Sequence, residues 1–471
     1  MADSMVQGVS LKKRVWGWMM FDWATQPFYT LGLTFIFGPY FAVAAAQHFL
    51  STGSNAQTAA AQAQSMWSLG QGAAGLFIAF AGVILGAYAD STGRRMPWVW
   101  LFAVIYAVCS WMLWYMLPDG STLWFGLIIF SIGFIAAEFM LIFVNAQLPG
   151  LGDDDEVGKI SGSGAAIGYW GGFVAFAIMF ALFVESEAGG NTMAGLAPAF
   201  GMLDSEAREG TRAVGPFIAI WFIIFMVPYF LWVRESKTPN RQGGIRQAMG
   251  DLKTSLKNVT KRPSMFSFLI SSMLYRDALN GLYAFGGVYA ALVLGWNITT
   301  LGIFGVISIL TAAIATQVSG RFDSRIGPRP VINFHIWVLI LVSLTIIGMT
   351  RTSFWGIPIA EGSNIPDILF MICGACIGGA GGGIYAASRS MMVRHTQPAR
   401  PTEAFGLFAL SGKATAFLAP ALIGLFTYLF NDARLGFSPV VGLFIVGMIL
   451  LRWVHPDGDR AEWSKSSIPA P

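Results

Sequence analysis

Apolar residues run in twelve long stretches along this chain, parted by polar turns. The stretches fall near 15–46, 66–89, 98–117, 121–147, 160–184, 214–233, 265–294, 299–320, 331–350, 367–388, 404–430 and 436–453. A helix crossing about 30 Å of hydrocarbon takes roughly 20 residues, and each stretch provides them. Inside lipid each backbone amide must find its partner within its own segment, so every stretch is predicted to be a helix. The pattern predicts an all-α integral membrane protein with twelve transmembrane helices.

Composition agrees with that reading. Only 11% of the 471 residues are charged, against about 25% in soluble domains. With the N-terminus cytoplasmic, the connections on that side hold 23 Lys and Arg residues and the opposite side holds four. Both termini are therefore expected in the cytoplasm. The net charge of +4 follows from this asymmetry and gives no reason to expect a nucleic-acid partner. The basic stretch 234–262 reads as a positive-inside loop, or as a contact for anionic lipid headgroups. The first span is too long for a signal peptide's apolar core and is expected to be retained. Cys109, Cys373 and Cys376 all fall inside spans, so no disulfide framework is expected.

The longest cytoplasmic connection divides the chain. The expected parts are a six-helix bundle over 1–233, a linker over 234–264, a second bundle over 265–455 and a tail over 456–471. A repeated turn supports the division. Gly86-Ala-Tyr-Ala-Asp90-Ser-Thr-Gly93-Arg94-Arg95 follows span two, and Asp323-Ser-Arg325-Ile-Gly327-Pro-Arg329 follows span eight. Arginines suit the negative C-terminal end of a helix, and glycine permits the tight backbone. Each aspartate can pair with those arginines or with a neighbouring helix end.

Twelve spans with this turn after spans two and eight resemble the major facilitator superfamily. Four further stretches resemble its vacuole-effluxer-like family, autophagy-related amino-acid effluxers with a bacterial branch. They are Gly17-Trp-Met-Met-Phe-Asp22-Trp-Ala-Thr-Gln26-Pro27-Phe-Tyr29, Asn145-Ala-Gln-Leu148-Pro149, Ser161-Gly-Ser-Gly164-Ala-Ala-Ile-Gly168-Tyr169 and Leu410-Ser-Gly-Lys413-Ala-Thr-Ala-Phe417. The resemblance implies two pseudo-symmetric six-helix bundles around a cavity that opens to alternate sides, in a bacterial inner (plasma) membrane. It implies that spans 1, 4, 7 and 10 line the cavity and that spans 3, 6, 9 and 12 face lipid. The acidic run Asp153-Asp154-Asp155-Glu156 departs from the family pattern.

Five charges lie deep in the spans: Asp22, Glu138, Arg276, Asp277 and Lys413. A charge at mid-bilayer costs about 2.5–3.5 kcal/mol on insertion scales and marks a substrate or ion path by default. None falls in spans 3, 6, 9 or 12. Asp22, Gln26 and Tyr29 share one helix face, as do Arg276, Asn280 and Tyr283, while Glu138 and Asn145 form a shorter stripe. Pro27, Gly32 and Gly38-Pro39 are expected to interrupt span 1, and Gly281 and Gly286-Gly287 span 7, as at transporter binding sites. Arg276 and Lys413 suit a substrate carboxylate. Asp22, Glu138 and Asp277 suit an ammonium group or a proton, and Tyr385 is placed to reach the cavity. Structural pairing of these charges is the alternative. Asp90, Gly93, Arg94 and Arg95, with Asp323, Arg325 and Arg329, are expected to form a cytoplasmic gate.

Leu410-Ser-Gly-Lys413 lacks the glycine and hydroxyl spacing of a phosphate loop. The four histidines are scattered, so no metal or cofactor is expected, and no nucleophile–base set suggests an enzyme. The expected function is secondary transport of small polar solutes, amino acids or short peptides favoured, by a monomer that can couple to protons. The alternatives are an exporter of amphipathic compounds or lipids and a non-transporting membrane sensor.

Overall fold

A computed structural model describes residues 8–186, 190–234, 250, 257, 259–292, 294–296, 298–398, 400–430 and 434–459. Most of the basic connection and most of the tail lie outside these residues. The long helices are α1 (Leu11–Ser51), α2 (Ala56–Thr92), α3 (Met96–Met112), α4 (Leu123–Asn145), α5 (Asp154–Leu182) and α6 (Val214–Trp232). They continue with α7 (Pro263–Leu292), α8 (Ile298–Ile326), α9 (Pro328–Gly348), α10 (Ile365–His395), α11 (Pro401–Phe430) and α12 (Ser438–Leu450). A two-stranded hairpin, Ser353–Phe354 with Ile357–Pro358, joins α9 to α10.

Among the described residues, eleven helices are long and apolar enough to cross a membrane. The 30-residue α7 is not among them. Arg276, Asp277, Asn280 and four serines in α7 dilute its hydropathy.

Two helices are discontinuous. In α1, an α-helix over Leu11–Pro27 widens into a π-helix over Phe28–Phe35. Ile36 leaves helical geometry at φ −121° before the helix resumes at Phe37. Pro39 lacks an amide hydrogen and crowds the carbonyl four residues back, that of Phe35, which accounts for the break at Ile36. In α11, Pro401–Lys413 ends in a turn and a second piece runs over Leu418–Phe430.

The interruption expected in span 7 is absent: α7 runs helically through Gly281 and Gly286. Glycine permits a break without enforcing one. Gly281 instead serves close packing, since a Cβ there would lie 3.1 Å from Ala419 and 3.3 Å from Ile423 of α11.

By their contacts the residues form two compact units that do not follow the chain's midpoint. One comprises Met1–Ala81, Gly93–Val144 and Ile167–Pro239; the other comprises Gly82–Thr92, Asn145–Ala166 and Asn240–Pro471. In the first, Trp23 of α1 stacks on Trp221 of α6 at 5.7 Å, and the Trp221 indole donates to the Trp23 carbonyl. The Trp18 indole donates to the Val144 carbonyl at 2.8 Å, tying α1 to α4. Gly168, Gly171 and Gly172 let α5 lie directly against α1. At the end of α5, buried Glu185 accepts from the Gly210 and Thr211 amides and the Thr211 hydroxyl, capping the turn that leads into α6. In the second unit, Ser271 of α7 donates to the Gly447 carbonyl of α12 at 2.6 Å, and Tyr275 pairs with Ser388 of α10 at 2.6 Å.

Candidate functional site

In the first unit the π segment of α1 carries Tyr29, whose hydroxyl donates to Glu138 Oε1 of α4 at 3.4 Å. Edge contacts with Phe28 and Phe134 hold the ring. Asp22 lies seven residues earlier on the same face, 7% exposed, where Gly168 brings α5 against it. Gln26 sits between them and donates to Thr30 Oγ1 at 3.4 Å. Tyr29 thus faces Glu138 of α4, whereas Asp22 and Gln26 face Gly168 and Gly172 of α5.

In the second unit, consecutive residues of α7 straddle the gap in α11. The Arg276 guanidinium donates to the Phe408 carbonyl at 3.2 Å, lies 4.6 Å from the Phe408 ring centre and covers Gly412. Asp277, 2% exposed, accepts from the Ala419 amide at 2.9 Å through Oδ2. Lys413 closes the first piece of α11. A helix carries about half a negative charge at its C-terminus and half a positive charge at its N-terminus. Cations therefore meet the end of the first piece, and an anion meets the start of the second. Asn280 is exposed, and Tyr283 is 51% exposed with its hydroxyl end against Gly381 of α10.

The two repeated turns each meet another helix end. Asp90, at the end of α2, accepts from the Thr402 hydroxyl at 2.7 Å and the Glu403 amide at 2.8 Å, capping α11. Such a cap contributes about 1 kcal/mol. A Cβ on Gly86 would lie 2.6 Å from the Thr402 carbonyl oxygen, and one on Gly406 would lie 2.8 Å from that of Gly82. Asp323, at the end of α8, accepts from the Ser390 hydroxyl at 3.2 Å and packs on Gly158 of α5. Its neighbour Ser324 accepts from the Lys159 amide at 2.8 Å. Gly162 and Gly320 cross α5 over α8 at backbone contact, and Gln317 donates to Ser163 at 3.1 Å. Two seams, α2 on α11 and α5 on α8, have the same composition: a glycine pair four residues apart and an acid at the helix end.

Around these turns, Gly93 takes a left-handed φ of 66° to end α2, which a side chain would strain. Arg94 and Arg325 point to solvent. Arg95 immediately precedes α3, and Arg329 of α9 donates to the Arg452 carbonyl at 3.3 Å.

Sequence reasoning placed Arg389 in a connection, because the apolar run ends at 388. The helix continues to His395, and Arg389 is 1% exposed, a further buried charge. Its Nε donates to Ser161 Oγ at 2.9 Å, Nη2 to the Ser161 carbonyl at 2.6 Å and Nη1 to Asn145 Oδ1 at 3.3 Å. Its guanidinium lies 5.2 Å from the Tyr385 ring centre. Arg389 thus binds the end of α4 and the start of α5 to α10. The glycine pairs Gly82/Gly86 and Gly158/Gly162 were the available signal for the seams, and the apolar window hid Arg389.

This arrangement of helices is that of a major facilitator superfamily transporter. The fold matches the human organic anion transporter MFSD10 (TETRAN) with a TM-score of 0.65 at 14% identity, covering 94% of this chain and 99% of that one. It matches the proton:xylose symporter XylE with a TM-score of 0.65 at 12% identity, covering 96% and 98%. Over residues 10–463 the sequence matches the family described as Vacuole effluxer Atg22 like, and the chain belongs to that family. It is 23% identical over 443 residues to the uncharacterized MFS-type transporter YxiO of Bacillus subtilis, covering 93% of this chain and 94% of the relative. Autophagy-related protein 22 of Cryptococcus neoformans is 20% identical over 321 residues, 66% of this chain. The chain spans about half the length of that fungal relative.

Proposed function

We propose that the protein carries small polar solutes, amino acids or short peptides in particular, across the bacterial inner membrane by alternating access coupled to protons. Both termini lie in the cytoplasm in this reading, so the Asp90 and Asp323 seams form the cytoplasmic gate. The two six-helix halves, joined by residues 234–264, alternate access to the two sides, and Asp22, Glu138, Arg276 and Lys413 serve the path of the solute or proton. The observation that carries the reading is the doubled seam. Both halves contribute an acid at a helix end and a backbone-close glycine crossing, held by a few hydrogen bonds. Each such bond is worth about 1 kcal/mol net, so the seams can part and re-form during a cycle. Charges of both signs beside interrupted helices favour a zwitterionic solute over an apolar one. The family's description as vacuole effluxers supports transport itself.

Reconstitution tests this directly. Proteoliposomes containing only this protein are expected to accumulate a labelled amino-acid mixture when a pH gradient is imposed, and to lose accumulation on adding a protonophore. Competition by sugars or amphipathic drugs, with none by amino acids, would exclude the proposed substrate class. No flux of any of these would exclude transport of them.

A further inference from the structure

Asp90, Glu185 and Asp277 each accept from amides at a helix start, and one of the three is poorly matched to that task. Glu185 receives three donors and Asp90 receives two. Asp277 receives only the Ala419 amide, and its Oδ1 is buried with no hydrogen-bond partner among the described residues. An ionised carboxylate offers about four acceptor positions, and leaving them empty away from water is costly. The surroundings do little to compensate. Arg276, next to it on α7, turns to the Phe408 carbonyl of α11. Lys413 sits at the end of the first α11 piece, before the turn. From α10, Arg389 and Tyr385 face each other. From α12, no titratable side chain lies between Ser438 and Leu450. One turn along α7, the walls at Gly281 are Ala419, Ile423 and Val440.

We propose that Asp277 is the proton-binding residue of the cycle, and that its charge state controls the seat of the second α11 piece, Leu418–Phe430. This rests on the transport reading above and names the group that couples to protons. Ionised, Asp277 holds the positive end of that piece through Ala419; protonated at Oδ1, it loses the charge–dipole attraction and loosens the cap. The first piece of the same helix begins at the Asp90 seam, which places proton binding and gate on one discontinuous element.

Asp277→Asn separates titration from capping, because the amide oxygen still accepts from Ala419 but takes up no proton. In the purified full-length protein, hydrogen–deuterium exchange over residues 414–424 is measured between pH 5 and 8 and corrected for intrinsic rates. Wild type and Asp277→Glu are expected to show a several-fold rise in exchange as pH falls, and Asp277→Asn a flat profile. In proteoliposomes, Asp277→Asn is expected to lose at least tenfold in pH-driven accumulation. An unaltered pH step, or wild-type accumulation, in Asp277→Asn overturns the assignment. Absence of flux in wild type would refute the transport reading alone, and the exchange profile would still decide Asp277.

Discussion

Gly162→Leu is expected to lower the initial uptake rate by roughly 100-fold without preventing folding. A Cβ at this position would lie 2.5 Å from Gly320 Cα and 2.9 Å from the Thr316 carbonyl oxygen, both backbone atoms that cannot rotate away. The α5–α8 seam must therefore separate. Overpacking costs about 1–3 kcal/mol, and separation also strains the Gln317–Ser163 and Lys159–Ser324 bonds, at about 1 kcal/mol each. A total of about 3 kcal/mol shifts a two-state equilibrium by roughly two powers of ten. The sealed state would then be too rare to sustain the cycle. Uptake by matched amounts of monodisperse protein checks this, and wild-type rates would show that the seam need not close.

Arg389→Ala is expected to be at least as damaging, for an electrostatic reason. The substitution removes the donors that Ser161 Oγ, the Ser161 carbonyl and Asn145 Oδ1 use in a buried setting. Hydrogen bonds to a charged group are worth about 1.5–3 kcal/mol each, though members of one network do not add. A net loss of about 3–4 kcal/mol corresponds to a fall of 100-fold or more in the sealed population. Arg389→Lys should recover little, since an ammonium lacks the planar fork that reaches α4 and α5 together. The readout is alkylation of a cysteine placed at Ser163 by an impermeant maleimide. Arg389→Ala should react much faster than the parent, and equal rates would show that Arg389 does not hold α5 in place.

The fold was legible because lipid imposes a simple rule on sequence. A long apolar run has no alternative to a helix in hydrocarbon, and eleven of the twelve runs match helices long and apolar enough to cross a membrane among the described residues. The repeated turn was legible for a similar reason, since Gly93 needs its left-handed backbone wherever the helix stops. The details that failed depend on tertiary context. Glycines in α7 suggested a break, but Ala419 and Ile423 occupy the space that the missing side chain leaves at Gly281. The break in α11 precedes Pro420, which crowds the Ala416 carbonyl within the turn, but the partners on α7 are distant in sequence. Arg389 escaped because an apolar window ends at the first charge, whereas the helix ends seven residues beyond 388. The deep charges were found, yet Arg276 and Asp277 serve helix ends that composition does not reveal.

The most direct test joins the α5–α8 seam covalently. In a chain with Cys109, Cys373 and Cys376 replaced, cysteines are introduced at Ser163 and Gln317, whose side chains meet at 3.1 Å. A short, reducible bifunctional thiol reagent then links them in proteoliposomes, and amino-acid uptake is measured before linking, after it and after reduction. Alternating access requires that uptake stop when the link forms and return when it is cut. Full uptake with the link intact would contradict it.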